Sequence, residues 1–413
     1  MTPGQPTINP RLVKEADALV DAGHQVHVLC SHTVPWADEA DETLLSTRSW
    51  TCSYVGGEPG SVLYWWTRLR HGALRRYSAV WKASDGFRDR ALCRVTPELL
   101  AAASRYEADL YIAHYTGALA AAVPAARKNR SLVAFDAEDF ESGYYPNDSG
   151  PQAIDLLIEH VERRLLPACC YVTAASPEIA AAYRTKYGIP MPTSILNVFS
   201  LAERPQQFRM TASNGPLRLY WFSQTIGLGR GLEDVIRAMG KLRECEIELH
   251  LRGVARPDHW KNLRDLAASN GVRSEAIVLH APAPSSEMIR AAVEFDVGLA
   301  LEQSVSLNRD LCLTNKIFSY LLAGNAIAAT STAGQRPIVE VIGRAGFLYE
   351  PGDVDALAHG LRTWSQDRQR LQHARWEAWT WGTRQFNWDV EKKKLVDVVS
   401  DVLTNRECAN SVC

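Results

Sequence analysis

The sequence predicts an α/β protein made of two doubly wound domains, each with a mostly parallel sheet. Segments of strand character alternate with segments of helical period along most of the chain, a pattern typical of parallel sheets. The 413 residues exceed what one hydrophobic core usually serves and suit two domains. Between residues 201 and 216 prolines and polar residues replace the alternation, so this stretch is expected to link the domains.

The first predicted domain covers residues 1–200 and opens with a helix. Asn9 and Pro10 form an N-cap and first-turn pair, and Gly23 is expected to end this helix after Ala22. Short runs of apolar and β-branched residues then predict strands at 25–30, 109–113, 132–136, 171–174 and 193–198.

The second predicted domain covers residues 217–388. A charged helix over 389–403 is expected to close the chain, and residues 404–413 are expected to form a loose tail. Apolar runs of the same kind predict strands at 217–222, 247–251, 277–279, 297–301 and 327–330.

Composition excludes several classes of protein. A net charge of −2 argues against a nucleic-acid binder. No apolar run reaches the ~18 residues of a membrane-spanning helix, and the opening MTPGQPTINPR lacks the apolar region of a secretory signal. The nine cysteines include no Cys-x-x-Cys spacing, so we expect no zinc or thioredoxin-type site and predict reduced, mostly buried thiols in a cytoplasmic protein.

Two segments of the second half carry the clearest chemistry. Asn315 and Lys316 open an apolar helical run that ends at Gly324, and a lysine in a first helical turn lies where free N–H groups and the helix dipole favour a diphosphate. A glycine-rich turn, residues 227–231, follows a predicted strand and carries Arg230. A dinucleotide site and a plain strand-to-helix turn are alternatives, although the spacing is not Gly-x-Gly-x-x-Gly.

The order of these elements resembles the donor-binding half of GT-B glycosyltransferases, especially the retaining family 4. The resemblance implies two Rossmann-like domains facing a cleft, with the C-terminal helix crossing back to the first domain. It also implies that Arg230 and Lys316 hold the donor diphosphate. The sequence departs from the family where Gln224 replaces a usual arginine and Ser319 replaces the second of two usual glutamates.

The resemblance implies a wider donor site around these two cations. Glu302 or Asp310 is expected to supply the carboxylate that is missing at Ser319. The remaining expected donor-site residues are Gln224, Gly227, Gly229, Gly253, His280 and Asn315.

Four residues at strand ends of the first half are candidate catalytic residues. His114 ends one predicted strand, and the family often places a histidine near the reacting sugar. Asp136, Glu138 and Asp139 end the next strand, and one of them could deprotonate an acceptor hydroxyl. A surface histidine and acids that cap the following helix are the competing interpretations.

The start of the chain departs from the resemblance, because a GT-B first domain normally opens with a central strand. Only eight residues precede Asn9. We expect either that these residues extend into the slot of that strand or that the natural protein starts earlier, since buried unpaired backbone groups cost ~1–3 kcal/mol each.

A basic amphipathic segment runs from Trp65 to Arg94. It carries eight lysines and arginines against two aspartates, and its apolar residues fall near helical spacing. Such a segment can rest on anionic lipid, so contact with the inner face of a membrane is expected. A core-facing helix with a charged outer face is the alternative.

The resemblance implies a retaining glycosyltransferase that moves a sugar from a nucleotide-diphosphate sugar to a glycan, a lipid-linked acceptor or a small molecule. Fixed cations can stabilise the departing diphosphate, so neither a metal nor another cofactor is expected. A nucleotide-sugar epimerase-like enzyme of the same fold is one alternative. A degenerate glycosyltransferase that acts as a binding partner is the other, and the missing first strand together with the departures at Gln224 and Ser319 favours it.

Overall fold

The computed structural model describes residues 1–80, 84–210, 214–284 and 287–411, and the side chains of 78–80 and 407–411 are left out of the description. The chain divides into two compact units. The first unit contains Met1–Ile195, Ser306–Asn308 and the described residues from Lys392 on. The second unit contains Leu196–Val305 and Arg309–Glu391.

The first unit is built from six strands with helices between them. Its strands are β1 His27–Ser31, β2 Thr51–Val55, β3 Leu110–His114, β4 Leu132–Ala137, β5 Tyr171–Ala174 and β6 Thr193–Ser194. Its helices are α1 Pro10–Asp21, α2 Ala37–Leu45, α3 Val62–Val80, α4 Asp85–Leu92, α5 Thr96–Ala103, α6 Thr116–Asn129, α7 Ala153–Leu165 and α8 Pro177–Tyr187. The strands pair in parallel as β1-β2 and as β3-β4-β5-β6.

The first four residues of the chain lie between β1 and β3 and join the two sheets. This confirms the expectation that the start of the chain extends into the central slot. Towards the amino ends of β1 and β3 the slot opens into a cavity of about 630 Å³. The joining hydrogen bonds run from Met1 N to Ile112 O (2.7 Å), His114 N to Met1 O (2.9 Å), Thr2 N to Leu29 O (2.9 Å) and Ser31 N to Gly4 O (3.2 Å).

The second unit contains one sheet of six parallel strands in the order β12-β11-β10-β7-β8-β9. Its strands are β7 Leu217–Ile226, β8 Ile247–Ala255, β9 Ile277–His280, β10 Val297–Ala300, β11 Ala326–Thr330 and β12 Gly346–Tyr349. The helices that follow α8 are α9 Leu232–Lys241, α10 Pro257–Ser269, α11 Met288–Ala292, α12 Leu307–Leu311, α13 Asn315–Ala323, α14 Arg336–Ile342, α15 Val354–Gln366, α16 Arg368–Arg384 and α17 Trp388–Ser411.

The core of the second unit shows why its strands form. Leu219, Leu249 and Leu299 come from three different strands of the sheet and are fully buried in one cluster. Strands buried on both faces read as continuous apolar runs, and this is the pattern from which they were predicted.

Some predicted boundaries are wrong. β7 continues past Phe222 to Ile226, so Gln224 lies inside a strand. α17 continues past Leu403 to Ser411, so the predicted loose tail is helical as far as it is described. The short strand β2 was not predicted. Among the described residues, no helix is both long enough and apolar enough to cross a lipid bilayer.

Candidate active site

A partly buried ion pair lies at the carboxyl end of the sheet in the second unit. Glu302 follows β10, and Lys316 lies in the first turn of α13. The Lys316 ammonium donates to Glu302 Oε1 at 2.7 Å, and Thr314 Oγ1 donates to the same oxygen at 3.1 Å. The side chains of Lys316 and Glu302 are 13% and 11% exposed. The carboxylate therefore fixes the lysine at a helix start, where backbone N–H groups favour an anion.

The pKa of Glu302 shows which charge state this pair holds. Burial by itself would raise the pKa, but the charge of Lys316 and the hydrogen bonds from Lys316 and Thr314 outweigh it, and the pKa is lowered. Glu302 is therefore ionised at neutral pH. It accepts from the lysine while leaving the remaining ammonium protons for a ligand.

The glycine-rich turn between β7 and α9 lies beside this ion pair. Arg230 donates from Nη1 to Ser223 Oγ at 3.0 Å and from Nη2 to Thr225 Oγ1 at 3.2 Å. Gly231 has a φ of +77°, and a Cβ on it would lie 2.7 Å from Leu301 Cβ, so only glycine fits there. Because β7 and β10 are neighbours, Arg230 and the ion pair occupy adjacent strand ends.

The other expected donor-site residues are spread along the same edge of the sheet. Gln224 is exposed near the end of β7, and Asn315 is exposed at the first position of α13. His280 ends β9, and its Nε2 lies 3.0 Å from His250 Nδ1. Three glycines lie on this edge: a Cβ on Gly227 would lie 2.8 Å from His259 Nδ1 and one on Gly253 2.1 Å from Ser223 O, whereas Gly229 is open to space and has a φ of +71°.

Ser319 and Asp310 have structural contacts of their own. Ser319 is fully buried, and its Oγ donates to Lys316 O at 2.7 Å, so a side chain at this position points into the unit. Asp310 Oδ1 accepts from Ser304 Oγ at 2.6 Å and from Ala333 N at 3.3 Å. Of the two expected replacements for the missing carboxylate, Glu302 is the one that pairs with Lys316.

In the first unit, Asp136 is the centre of a buried charge cluster. Arg11 donates to it from Nε and Nη2, both at 2.7 Å, and Thr173 Oγ1 donates at 2.6 Å. Burial alone would raise the pKa of Asp136, but the Arg11 charge and the hydrogen bond from His114 hold it well below its usual range. Asp136 is fully buried. Its contacts are those of a structural ion, which does not suit the predicted role as a base for an acceptor.

His114 lies in the same cluster and is charged at neutral pH. Its Nδ1 is 3.2 Å from Asp136 Oδ2 and from Glu138 Oε1, and its Nε2 is 3.5 Å from Glu15 Oε2. Burial would lower the pKa of His114, but the hydrogen bonds to Asp136 and Glu138 and the charge of Glu15 raise it to about 9. The imidazolium therefore donates and does not accept a proton.

Glu138 and Asp139 are the accessible acids of the predicted set, because both are half-buried. Glu138 Oε1 accepts from Asn9 Nδ2 at 2.6 Å, and its Oε2 accepts from Tyr115 OH at 3.3 Å. Asp139 accepts from Tyr144 OH at 2.5 Å and from Asn308 Nδ2 at 3.2 Å. Tyr115 has a φ of 69°, an unusual backbone for a non-glycine residue and one that recurs at functional sites.

Comparison with known proteins identifies the class of protein to which this chain is similar. A family model described as Glycosyltransferase Family 4 matches residues 11–197. A search of curated proteins by sequence gives no match. The chain has the GT-B fold and resembles glycosyltransferase family 4. The expected class of enzyme, a glycosyltransferase, is confirmed. The family match falls on the first half of the chain, although the motifs that carried the prediction lie in the second half.

Solved glycosyltransferase structures share the fold over nearly the whole chain. The HepE protein (Alr3699) of Anabaena, solved in complex with UDP, is 16% identical, with a TM-score of 0.69 over 97% of this chain and 98% of that one. Sucrose-phosphate synthase from Thermosynechococcus elongatus is 13% identical, with a TM-score of 0.70 over 96% and 94%. A glycosyltransferase from Rickettsia africae is 13% identical, with a TM-score of 0.67 over 98% and 99%.

Sequence reasoning missed Arg11, Glu15 and Asn9, all from α1 and its N-cap. The sequence shows Asn9 as a helix cap, and its Oδ1 does accept from Leu12 N at 3.0 Å, but its Nδ2 also holds Glu138. Arg11 and Glu15 lie four residues apart on one helix face, and this spacing is a signal that could have suggested a pair. Asp136, the partner of Arg11, is 125 residues away, and His114, the partner of Glu15, is in a different strand, so no local pattern points to them.

The same cluster contains the described residues that could hold a metal. Glu15, His114 and Asp136 each offer one ligand atom, and these atoms lie within 4.8 Å of one another. The Arg11 guanidinium lies among them, within 3.2 Å of Glu15 and 2.7 Å of Asp136. The two carboxylates are thus already balanced by Arg11 and His114. Metal-independent transfer stays a prediction.

The raised pKa values of this cluster predict a pH dependence of stability. Burial and the charge of Asp136 raise the pKa of Glu15 to about 7, and His114 rises to about 9. A group whose pKa is raised on folding stabilises the folded state fully at pH values below its ordinary pKa. This contribution is lost as the pH rises through the pKa of the folded state. For His114 the loss falls between about pH 6.5 and pH 9.

Urea denaturation across this pH window tests the prediction. We expect the difference in stability between wild type and His114→Gln to shrink as the pH rises from about 6.5 to 9, because the charged imidazole is lost. The exposed His373→Gln serves as the matched control and should show no such change. A difference that stays constant or grows with pH would contradict the assigned charge state.

Proposed function

We propose that the chain transfers a sugar, with retention of configuration, from a nucleotide-diphosphate sugar to a hydroxyl acceptor without a metal. The observation that carries the proposal is the Lys316–Glu302 pair at the start of α13, beside the turn that holds Arg230. Breaking the sugar–phosphate bond leaves negative charge on the diphosphate. Two preorganised cations at adjacent strand ends are suited to stabilise it.

The donor proposal draws on the UDP and UDP-glucose complexes of HepE. We take uridine diphosphate sugars as the first donors to test, because HepE shares the fold over 97% of this chain. Gly253 and the end of β9 at His280 lie at carboxyl ends of parallel strands, where open α/β sheets bind ligands. The nucleoside is assigned to these strand ends.

On the acceptor side, Glu138 is the residue assigned to the acceptor hydroxyl. It is half-buried, and Asn9 and Tyr115 hold it in place. Its carboxyl oxygens can accept a hydrogen bond from a hydroxyl. In same-face attack the departing phosphate takes the acceptor proton, so Glu138 orients the acceptor and need not remove its proton.

Calorimetric titration with UDP-glucose, other UDP-sugars and GDP-sugars tests the donor class directly. We expect one donor to bind and, in the presence of an acceptor, to give a product with the donor's anomeric configuration. Inverted configuration would contradict the retaining mechanism. Interconversion of donors without an acceptor would favour an epimerase-like enzyme, and binding without any turnover would favour a binding partner.

Chelation tests metal independence. With fixed cations assigned to the diphosphate, we expect turnover to be unchanged in excess EDTA, whereas a metal-dependent transferase assayed in parallel should lose activity. Loss of turnover in EDTA that Mn²⁺ or Mg²⁺ restores would contradict the proposed use of Arg230 and Lys316.

A further inference from the structure

The helix α3, Val62–Val80, carries an exposed apolar stripe. Val62, Trp65, Trp66 and Leu69 are 88%, 54%, 58% and 70% exposed. Their spacing of three, one and three residues places them on one face of the helix. Large apolar side chains gathered in this way on a surface mark a site of interaction.

The opposite side of α3 is fixed to the first unit by polar contacts. Arg70 donates from Nη1 and Nη2 to the two carboxylate oxygens of Glu98 at 2.7 and 2.8 Å. Thr67 is fully buried, and Arg94 donates to its Oγ1 at 2.8 Å. These contacts fix the rotation of the helix, so the apolar stripe faces outward because of the fold.

Exposed cations lie beside the stripe and at its far end. Arg68 is exposed, and its guanidinium lies 5.6 Å from the ring centroids of Tyr64 and Trp65. Arg76 is exposed farther along, one heptad beyond Leu69. Residues 62–80 contain no aspartate or glutamate.

Several cations of the basic segment predicted from the sequence make contacts within the first unit. Arg70 and Arg94 are used inside the unit, and Arg88 contacts the ring of His160 at 3.0 Å. Trp81 and Lys82 lie outside the described residues. Arg68 and Arg76 are the exposed cations of α3 on which the following proposal rests.

We propose that the apolar stripe of α3 docks on an anionic lipid bilayer. Tryptophan and arginine combine an apolar body with a polar end and suit the boundary between headgroups and acyl chains. A stripe that carries charge of one sign complements anionic lipid, each cation near the surface adding to the attraction. Docking would bring the enzyme to a membrane-borne acceptor. This last point rests on the proposed function, whereas the docking itself does not.

Vesicle co-sedimentation tests the docking without requiring catalysis. Wild type should bind vesicles that contain phosphatidylglycerol at low salt, should bind pure phosphatidylcholine weakly, and should be released as salt rises. Trp65→Ser/Trp66→Ser and Arg68→Glu/Arg76→Glu should each lower binding by at least roughly tenfold. Matched controls on the second unit, Trp376→Ser and Arg344→Glu, should bind like wild type.

Other measurements keep this test separate from the proposed function. UDP titration and thermal melting of each variant should match wild type, which shows that the fold and the donor site are intact. Absence of binding to phosphatidylglycerol at low salt, or variants that bind as well as wild type, would overturn the docking proposal alone. A dimer in solution that Trp65→Ser/Trp66→Ser dissociates would also overturn it, since the stripe would then join two copies of the chain.

Discussion

Lys316→Ala is expected to lower turnover by roughly 30- to 150-fold, the equivalent of about 2–3 kcal/mol of lost transition-state stabilisation. The lysine ammonium is held by Glu302 at 2.7 Å in the first turn of α13, so it is positioned before the substrate arrives. A preorganised charge of this kind acts on the diphosphate charge that develops as the sugar leaves. The effect should appear in kcat/KM, measured with the donor identified by titration.

Removing the lysine also leaves the partly buried Glu302 without its cation, which could destabilise the unit. The double variant Lys316→Met/Glu302→Gln removes both charges and keeps the side-chain volumes, so it should fold normally and still lose turnover. Lys261→Ala removes an exposed lysine from an i,i+4 pair of the same unit and is the matched control. If the double variant is folded and its turnover is within a factor of about two of the control, Lys316 does not hold the diphosphate.

Arg11→Met is expected to have the largest effect on stability, a loss of about 3–5 kcal/mol. Arg11 is almost fully buried, and it makes two hydrogen bonds to Asp136 and one to Ile195 O at 2.6 Å. Without it, the carboxylates of Asp136 and Glu15 face each other in the core with only His114 to balance them. Urea denaturation of wild type and variant at neutral pH measures the loss.

The control for this prediction is Arg163→Met. Arg163 is 55% exposed and pairs with Glu159 four residues before it, so its removal should cost no more than about 0.5 kcal/mol. Glu138→Gln should lower turnover, since Glu138 is assigned to the acceptor. Equal stability of Arg11→Met and Arg163→Met would show that the buried cluster does not hold the first unit together.

The residues that the sequence revealed are those whose role depends on local pattern. Lys316 was found because it opens an apolar helix, and Arg230 because it lies in a glycine-rich turn after a strand. The glycines could be predicted for the same reason: Gly231 has a positive φ and packs against Leu301. The sequence could not show that Glu302 binds Lys316, because 14 residues and a short helix separate them.

The roles of the catalytic candidates in the first unit could not be predicted from local pattern. Asp136, Glu138 and Asp139 are almost adjacent in sequence and look equivalent, yet each has a different environment. Asp136 is fully buried against Arg11, whereas Glu138 and Asp139 are half-buried. The alternation of side chains at the end of β4 and the position of α1 decide which carboxylate is accessible. The position of α1 depends on contacts between residues more than a hundred positions apart.

By itself, then, the sequence determined the α/β class, most of the strands and the two candidate phosphate-binding segments, because periodicity and turn chemistry act over a few residues. Only the tertiary structure decided which charges are buried and which face of α3 is exposed. It also decided that the first four residues join β1 to β3. The physical reason is that burial and ion pairing depend on which distant segments meet, and the free energy of a charge depends on those neighbours far more than on its own position in the chain.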